Sequence, residues 1–109
     1  MKFQITARHY HASQHLHRNL EENAARFARF NDSVESVHFI LDAGQAGSGR
    51  AEGIVKIHDK AVVAHAEDGA MGKAIELMLE KLERQLKREN EKLKVHKGDP
   101  LSTAAAVPA

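Results

Sequence analysis

The sequence predicts an α+β domain of order β-α-β-β-β-α, with a four-stranded mixed sheet carrying two helices packed on one face. Three observations lead there. Four short segments read as half-buried strands, two longer ones carry a single apolar stripe at helical spacing, and 109 residues hold one compact domain but not two.

Residues Lys2 to Arg8 set Phe3, Ile5 and Ala7 on one side and Lys2, Gln4, Thr6 and Arg8 on the other, which predicts the first strand. Ser13 then stands where an N-cap is needed, its hydroxyl able to accept from an orphan N–H of the first helical turn. Leu16, Leu20, Ala24 and Phe27 form one stripe that reaches about Phe30, and Asn31 and Asp32 close it with turn chemistry. Val37, Phe39 and Leu41 alternate with His38, Ile40 and Asp42 as a second strand. The stretch Ala43 to Gly49, AGQAGSG, is expected to be a flexible loop. A third strand runs from about Arg50 to His58, with Val55 and Ile57 as its apolar residues. Asp59 and Lys60 turn the chain, with the turn type left open, into a fourth strand at Ala61 to Glu67.

The strongest element follows. Met71, Ile75, Met78, Leu79, Leu82 and Leu86 mark a long amphipathic helix. Its stripe lapses at Glu89 and Asn90 and returns at Leu93, so the last turns are expected to project beyond the core or fray. Gly98 and Pro100 stop it, leaving residues 98–109 as a disordered tail after a domain of residues 1–97. The first strand, helix and second strand form a right-handed crossover that makes those strands parallel neighbours, and the remaining strands close as hairpins. One stripe per helix places both helices on the same sheet face. The other face is open to solvent or to a partner.

With 42% hydrophobic and 28% charged residues the chain reads as soluble, and without cysteine it suits a reducing cytoplasm. No apolar run has the length of a signal peptide or a membrane span, so no membrane partner is expected. A net charge of +1 argues against a strongly basic nucleic-acid binder, but distribution matters more than the total. Lys81, Arg84, Arg88 and Lys92 recur at spacings of three and four, forming a ridge opposite the buried leucines. Lys73 lies near the same line, and Lys87, Lys94 and Lys97 extend the positive region. Glu76, Glu80 and Glu83 lie toward one flank, with Glu80 to Arg84 and Glu83 to Lys87 as i,i+4 pairs. The first helix carries Arg18, Arg26 and Arg29 on its outer face with Glu22 among them, and Arg8 joins the basic set from the polar side of the first strand.

Two readings of these cations stand side by side. They are ordinary solvated faces with weak intrahelical pairs and favourable dipole contacts, or they form a basic surface for phosphates that binds through counterion release. Few aromatic residues interleave with them, which disfavours a base-stacking mode. Histidine is the other outlier, with eight residues, four of them in HYHASQHLH: His9, His11, His15 and His17. No cysteine, HExxH pattern or completing carboxylate accompanies them, so neither a metal nor another cofactor is expected; histidines partly protonated near RNA fit better. No nucleophile context surrounds the serines or Thr103, and GQAGSG lacks the Lys-Ser/Thr pair and following helix of a phosphate loop, so no catalytic residues are assigned.

The opening MKFQIT, the stripe of Leu16, Leu20 and Phe27, and above all AHAEDGAMGKAIELMLEKLERQLKR resemble the ribosome hibernation promoting factor and ribosome-associated inhibitor A family, once called sigma-54 modulation proteins. The resemblance runs from Met1 to about His96 and is most specific from Ala74 to Leu86. It implies a fold similar to the double-stranded-RNA-binding domain and a non-enzymatic ribosome-binding domain over residues 1–97. It also implies a partner, the small ribosomal subunit and its rRNA, bound in the channel for messenger and transfer RNA so that translation stops under stress. The implied rRNA-binding positions are Arg26, Arg84, Lys87 and Arg88, continued by Lys92 and Lys94; Arg8, Arg29 and Lys73 complete the expected set. The chain departs from the family at Ala7, where Gly is usual, at Asn23, where Lys is common, and at Ala70-Met71-Gly72, where Asp-Met-Tyr would supply a helix cap. It resembles the short type, for which ribosome pairing would need a separate dimerising factor. An RNA-binding or regulatory domain of the same fold with a different partner is the alternative, and a histidine-dependent metal-binding protein or enzyme is a third reading.

Overall fold

The structure, a computed structural model, describes residues 1–58 and 60–97, with side chains as far as Asn90. Asp59 of the expected turn, the tail from 98 to 109, and the side chains of Lys92, Leu93, Lys94 and Lys97 lie outside the described residues. The elements are β1 (Lys2–Arg8), α1 (Gln14–Phe30), β2 (Val34–Ala43), β3 (Gly49–Ile57), β4 (Lys60–Asp68) and α2 (Met71–Lys97). They form one sheet in the order β1-β2-β3-β4, with β1 parallel to β2 and the other neighbours antiparallel. This is the predicted β-α-β-β-β-α architecture.

Local chemistry accounts for the boundaries. Ser13 caps α1, its Oγ accepting from the Leu16 N–H at 3.1 Å. At the other end Asn31 is buried; its N–H donates to the Phe27 carbonyl, and its Oδ1 accepts from the Ser33 N–H at 2.8 Å, turning the chain into β2. The stretch expected to be a flexible loop folds into a short hydrogen-bonded turn. A short 3-10 segment, Gln45–Gly47, puts Ala46 and Gly47 in left-handed conformation, and Ser48 Oγ donates to the Gln45 carbonyl at 2.7 Å. The Gly44 N–H also donates to the Ser48 carbonyl at 2.9 Å, so β2 and β3 close as a hairpin with Ala43 opposite Gly49. At the next hairpin His58 takes a positive φ of 47°, and its Nε2 lies 2.8 Å from Ser33 Oγ. The start of α2 has Ala70 where the resemblance led to a capping Asp, but Asp68 Oδ2 accepts from the Ala70 N–H at 3.1 Å and so supplies a carboxylate two residues earlier. Past Glu89 and Asn90 the helix runs unbroken to Lys97.

The core lies between the sheet and both helices. Leu20, Ala24 and Phe27 of α1 and Met71, Ala74, Ile75, Met78, Leu82 and Leu86 of α2 are buried against the inward residues of the strands. The two halves differ in how they make room. Under α1 the strands present bulk, with Phe3, Ile5 and Phe39; under α2 they present Ala51, Gly53, Ala64 and Ala66. A Cβ at Gly53 would collide with Leu82 Cδ1 and Met78 Sδ, and one at Gly49 would come within 2.9 Å of the Met71 Cα. Bare backbone at these two positions lets α2 sit close over β3 and β4. The opposite sheet face carries Lys2, Gln4, Thr6 and Arg8 of β1 and a cross-strand row of Arg8, Asp42, Arg50 and Glu67 with alternating charge. Among the described residues no helix is long and apolar enough to cross a membrane.

Candidate nucleic-acid interface

The packing of α2 divides its polar surface into two flanks. With Met78, Leu82 and Leu86 turned inward as one row four residues apart, the polar residues between them fall to either side. On the side of β4 stand Lys81, Arg84, Gln85 and Arg88, and beyond them Glu89, whose Oε1 accepts from Lys60 Nζ of β4 at 2.7 Å. Lys81 Nζ donates to the His65 carbonyl at 2.9 Å, and Gln85 Nε2 donates to the Val63 carbonyl at 3.0 Å. These carbonyls belong to the edge strand, so two helix side chains cover groups that would otherwise be open for pairing. The result is a shallow groove between α2 and β4 with Arg84 and Arg88 along its rim. Both arginines are exposed, and among the described residues no carboxylate lies within ion-pair distance of either. The expected pair of Glu80 with Arg84 does not form.

On the side of α1 the charges are matched. Glu83 Oε1 accepts from Arg26 Nη2 across the helix–helix seam, and Glu83 Oε2 lies 3.6 Å from Lys87 Nζ. The Phe30 ring sits beneath both cations, with Arg26 Cζ 5.9 Å and Lys87 Nζ 5.7 Å from its centroid. The i,i+4 pair of Glu83 and Lys87 follows from spacing on one helix. The link to Arg26 does not, because it joins residues 57 positions apart and depends on how the helices meet.

The other expected cations are scattered. Arg29 is exposed in the last turn of α1, where it complements the helix dipole, and Lys73 is exposed in the first turn of α2. Arg8 is on the open sheet face beside Asp42, so the structure does not bring it together with the helix cations. Lys92 and Lys94 fall on the part of α2 whose side chains are outside the described residues. Among the described residues the histidines do not gather into one cluster. His9 Nδ1 lies 3.4 Å from Asp42 Oδ1, His38 bonds Thr6 Oγ1 at 2.8 Å, and His17 meets the Phe3 ring edge-on. Among the described residues no group of three His, Cys, Asp or Glu side chains is placed to hold a metal ion. The ties from Lys81 and Gln85 to the β4 edge were not legible in the sequence; a wheel shows which face a residue occupies, not which strand edge it will meet.

Comparison with known proteins accords with this architecture. Two ribosome hibernation promoting factors of Pseudomonas putida are each 32% identical over 92 residues, covering 84% of this chain and 89% of their own length. A ribosomal subunit interface protein from Coxiella burnetii superimposes with a TM-score of 0.73 at 25% identity, covering 84% of this chain and 99% of its own. The N-terminal domain of Thermus thermophilus Protein Y gives 0.70 at 26% identity, covering 81% and 98%. The family described as sigma 54 modulation protein / S30EA ribosomal protein matches residues 3–94, nearly every described position, and the chain belongs to that family.

Proposed function

We propose that the protein is a cytoplasmic ribosome hibernation factor. It binds the small ribosomal subunit in the channel for messenger and transfer RNA, between head and body, holds ribosomal RNA through its basic helix faces, and inhibits translation under stress. It acts by occupancy and not by catalysis. Relatives named for ribosome hibernation and for the ribosomal subunit interface support the ribosome as partner. The observation that carries the assignment of the surface is the rim of Arg84 and Arg88, two exposed guanidinium groups one helical turn apart with no carboxylate to neutralise them among the described residues. A guanidinium fork suits phosphate oxygens, and each contact releases condensed counterions. Contacts of this kind read backbone and shape more than base sequence, as a site built of folded RNA requires.

Cosedimentation with purified small subunits over a salt series tests the reading, using the natural chain and Arg84→Ala/Arg88→Ala. The natural chain is expected to bind with a steep negative slope of log K on log salt. The double variant should flatten that slope by about 1.4–1.8 units, on roughly 0.7–0.9 per phosphate contact. An equal slope and affinity in the two chains would remove these arginines from the interface, and a natural chain that fails to cosediment at low salt would overturn the function.

A further inference from the structure

We infer that Glu83 is a specificity-determining residue: its carboxylate occupies, between Arg26 and Lys87, the place an RNA phosphate would take, so this seam engages RNA only where a phosphate is positioned to displace it. The inference rests on the proposed RNA-binding role and concerns a residue that role does not use.

Three features of the seam lead to it. First, the two cations come from different helices yet converge on one carboxylate, each from its own oxygen. A carboxylate that accepts from a guanidinium through one oxygen and faces an ammonium with the other sets two anionic oxygens where a phosphodiester could set its own. Second, the cations are held from below by Phe30, which lies within 6 Å of both, so their arrangement has support besides Glu83. Third, the cluster is open to exchange. The side chains of Arg26 and Lys87 are 49% and 58% exposed and that of Glu83 is 28% exposed, and ion pairs this accessible are weak enough for a phosphate to replace.

The consequence is a filter. Against a flexible strand, which offers phosphates in no fixed arrangement, the seam is already neutralised and contributes little. Against a rigid site that aligns a phosphate with the seam while Arg84 and Arg88 are engaged, displacement of Glu83 adds two contacts at once. Glu83 therefore lowers binding to free RNA more than binding to the structured target.

The test compares the natural full-length chain, Glu83→Gln and Glu80→Gln for binding to poly(U) and to small subunits over a salt series. Glu83→Gln keeps the shape and removes the competing charge. Glu80→Gln removes the same charge from an exposed position on α2 with no cation partner among the described residues, and so reports the effect of net charge alone. Glu83→Gln is expected to bind poly(U) about fivefold more tightly per freed cation at 0.1 M salt, with a slope steeper by about 0.7 per contact. Glu80→Gln should change both much less, and small-subunit binding should gain less than poly(U) binding, so that discrimination falls. Adding Arg26→Gln and Lys87→Gln to Glu83→Gln should abolish the gain. Weaker binding by Glu83→Gln would make Glu83 a positioning residue for Arg26, and an unchanged poly(U) slope, or one matched by Glu80→Gln, would also overturn the inference. Failure of the functional reading looks different: no chain would bind small subunits, whatever the response to poly(U).

Discussion

The two flanks of α2 carry the same kinds of residue and do different things with them. On the flank over β4, the neutral and cationic side chains of Gln85 and Lys81 are tied to backbone carbonyls, while Arg84 and Arg88 are left without a carboxylate among the described residues. On the flank over α1, Arg26 and Lys87 are both drawn onto Glu83. The difference follows from what each flank meets. An edge strand offers acceptors that need donors, so Lys81 and Gln85 are satisfied there by carbonyls, and the acid of this flank, Glu89, goes to Lys60 of β4 and not to the arginines. A second helix with its own cation needs an acid between, or like charges would face each other across the seam. A count of basic residues treats the flanks alike, and only the packing distinguishes free cations from compensated ones.

That division depends on the buried row between the flanks, and breaking the row should give the largest effect. Leu82 is fully buried under α2. Leu82→Ala should cost about 2–5 kcal/mol, depending on how far the site collapses. Arg84→Ala, two positions along and exposed, should stay within about 0.5 kcal/mol. Thermal or denaturant unfolding of the two variants decides the matter, and equal losses would mean that the helix is not oriented as described.

A smaller loss is expected where β3 lets the helix approach. At Gly49 an added Cβ would lie 2.9 Å from the Met71 Cα and closer still to its sulfur, so the first turn of α2 has to move. Gly49→Ala should cost roughly 1–3 kcal/mol in denaturant unfolding. Because the displaced end is the start of the helix, the ties of Lys81 and Gln85 further along should survive. Gly72→Ala makes the control: nothing lies within 4 Å of a Cβ there, and the exchange replaces a poor helix former, so stability should hold or rise.

How much of this was legible in the sequence varies with the range of the interaction. Alternation at Phe3 and Ile5 and the stripe from Met71 to Leu86 are repeated signals, each residue confirming the last, and they led to the correct element order and core. Ser13 was readable as a cap because a cap is a local bond. The turn within Ala43 to Gly49 is not legible, because composition marks the segment as a loop and does not record the closure imposed by pairing Ala43 with Gly49. The family resemblance pointed to Arg26, Arg84, Lys87 and Arg88 as one set. Their division, into a pair with no carboxylate among the described residues and a compensated pair, rests on Glu83 reaching another helix, a contact that no single-helix pattern contains. Arg8 belongs to the expected set by charge alone, and its own alternation already sets it on the sheet face away from the helices.

The smallest expected effect is also the one that separates the flanks most directly. Arg26 and Glu83 form a partly exposed ion pair, which puts their coupling at about 0.2–1 kcal/mol. A double-mutant cycle of Arg26→Ala and Glu83→Ala, measured by denaturant unfolding, should return a coupling in that range at low salt. In 1 M NaCl, where the screening length is about 3 Å, most of it should vanish. Gln85→Ala removes a neutral hydrogen bond to the Val63 carbonyl and should cost about 0.5–1.5 kcal/mol or less, since water can reach an edge carbonyl, with little dependence on salt. A tie that salt dissolves is one that a phosphate can replace; a tie that salt leaves intact belongs to the scaffold. If the coupling of Arg26 with Glu83 were large and persisted in 1 M salt, Glu83 would be fastening the two helices together, and the seam could not yield its cations to RNA.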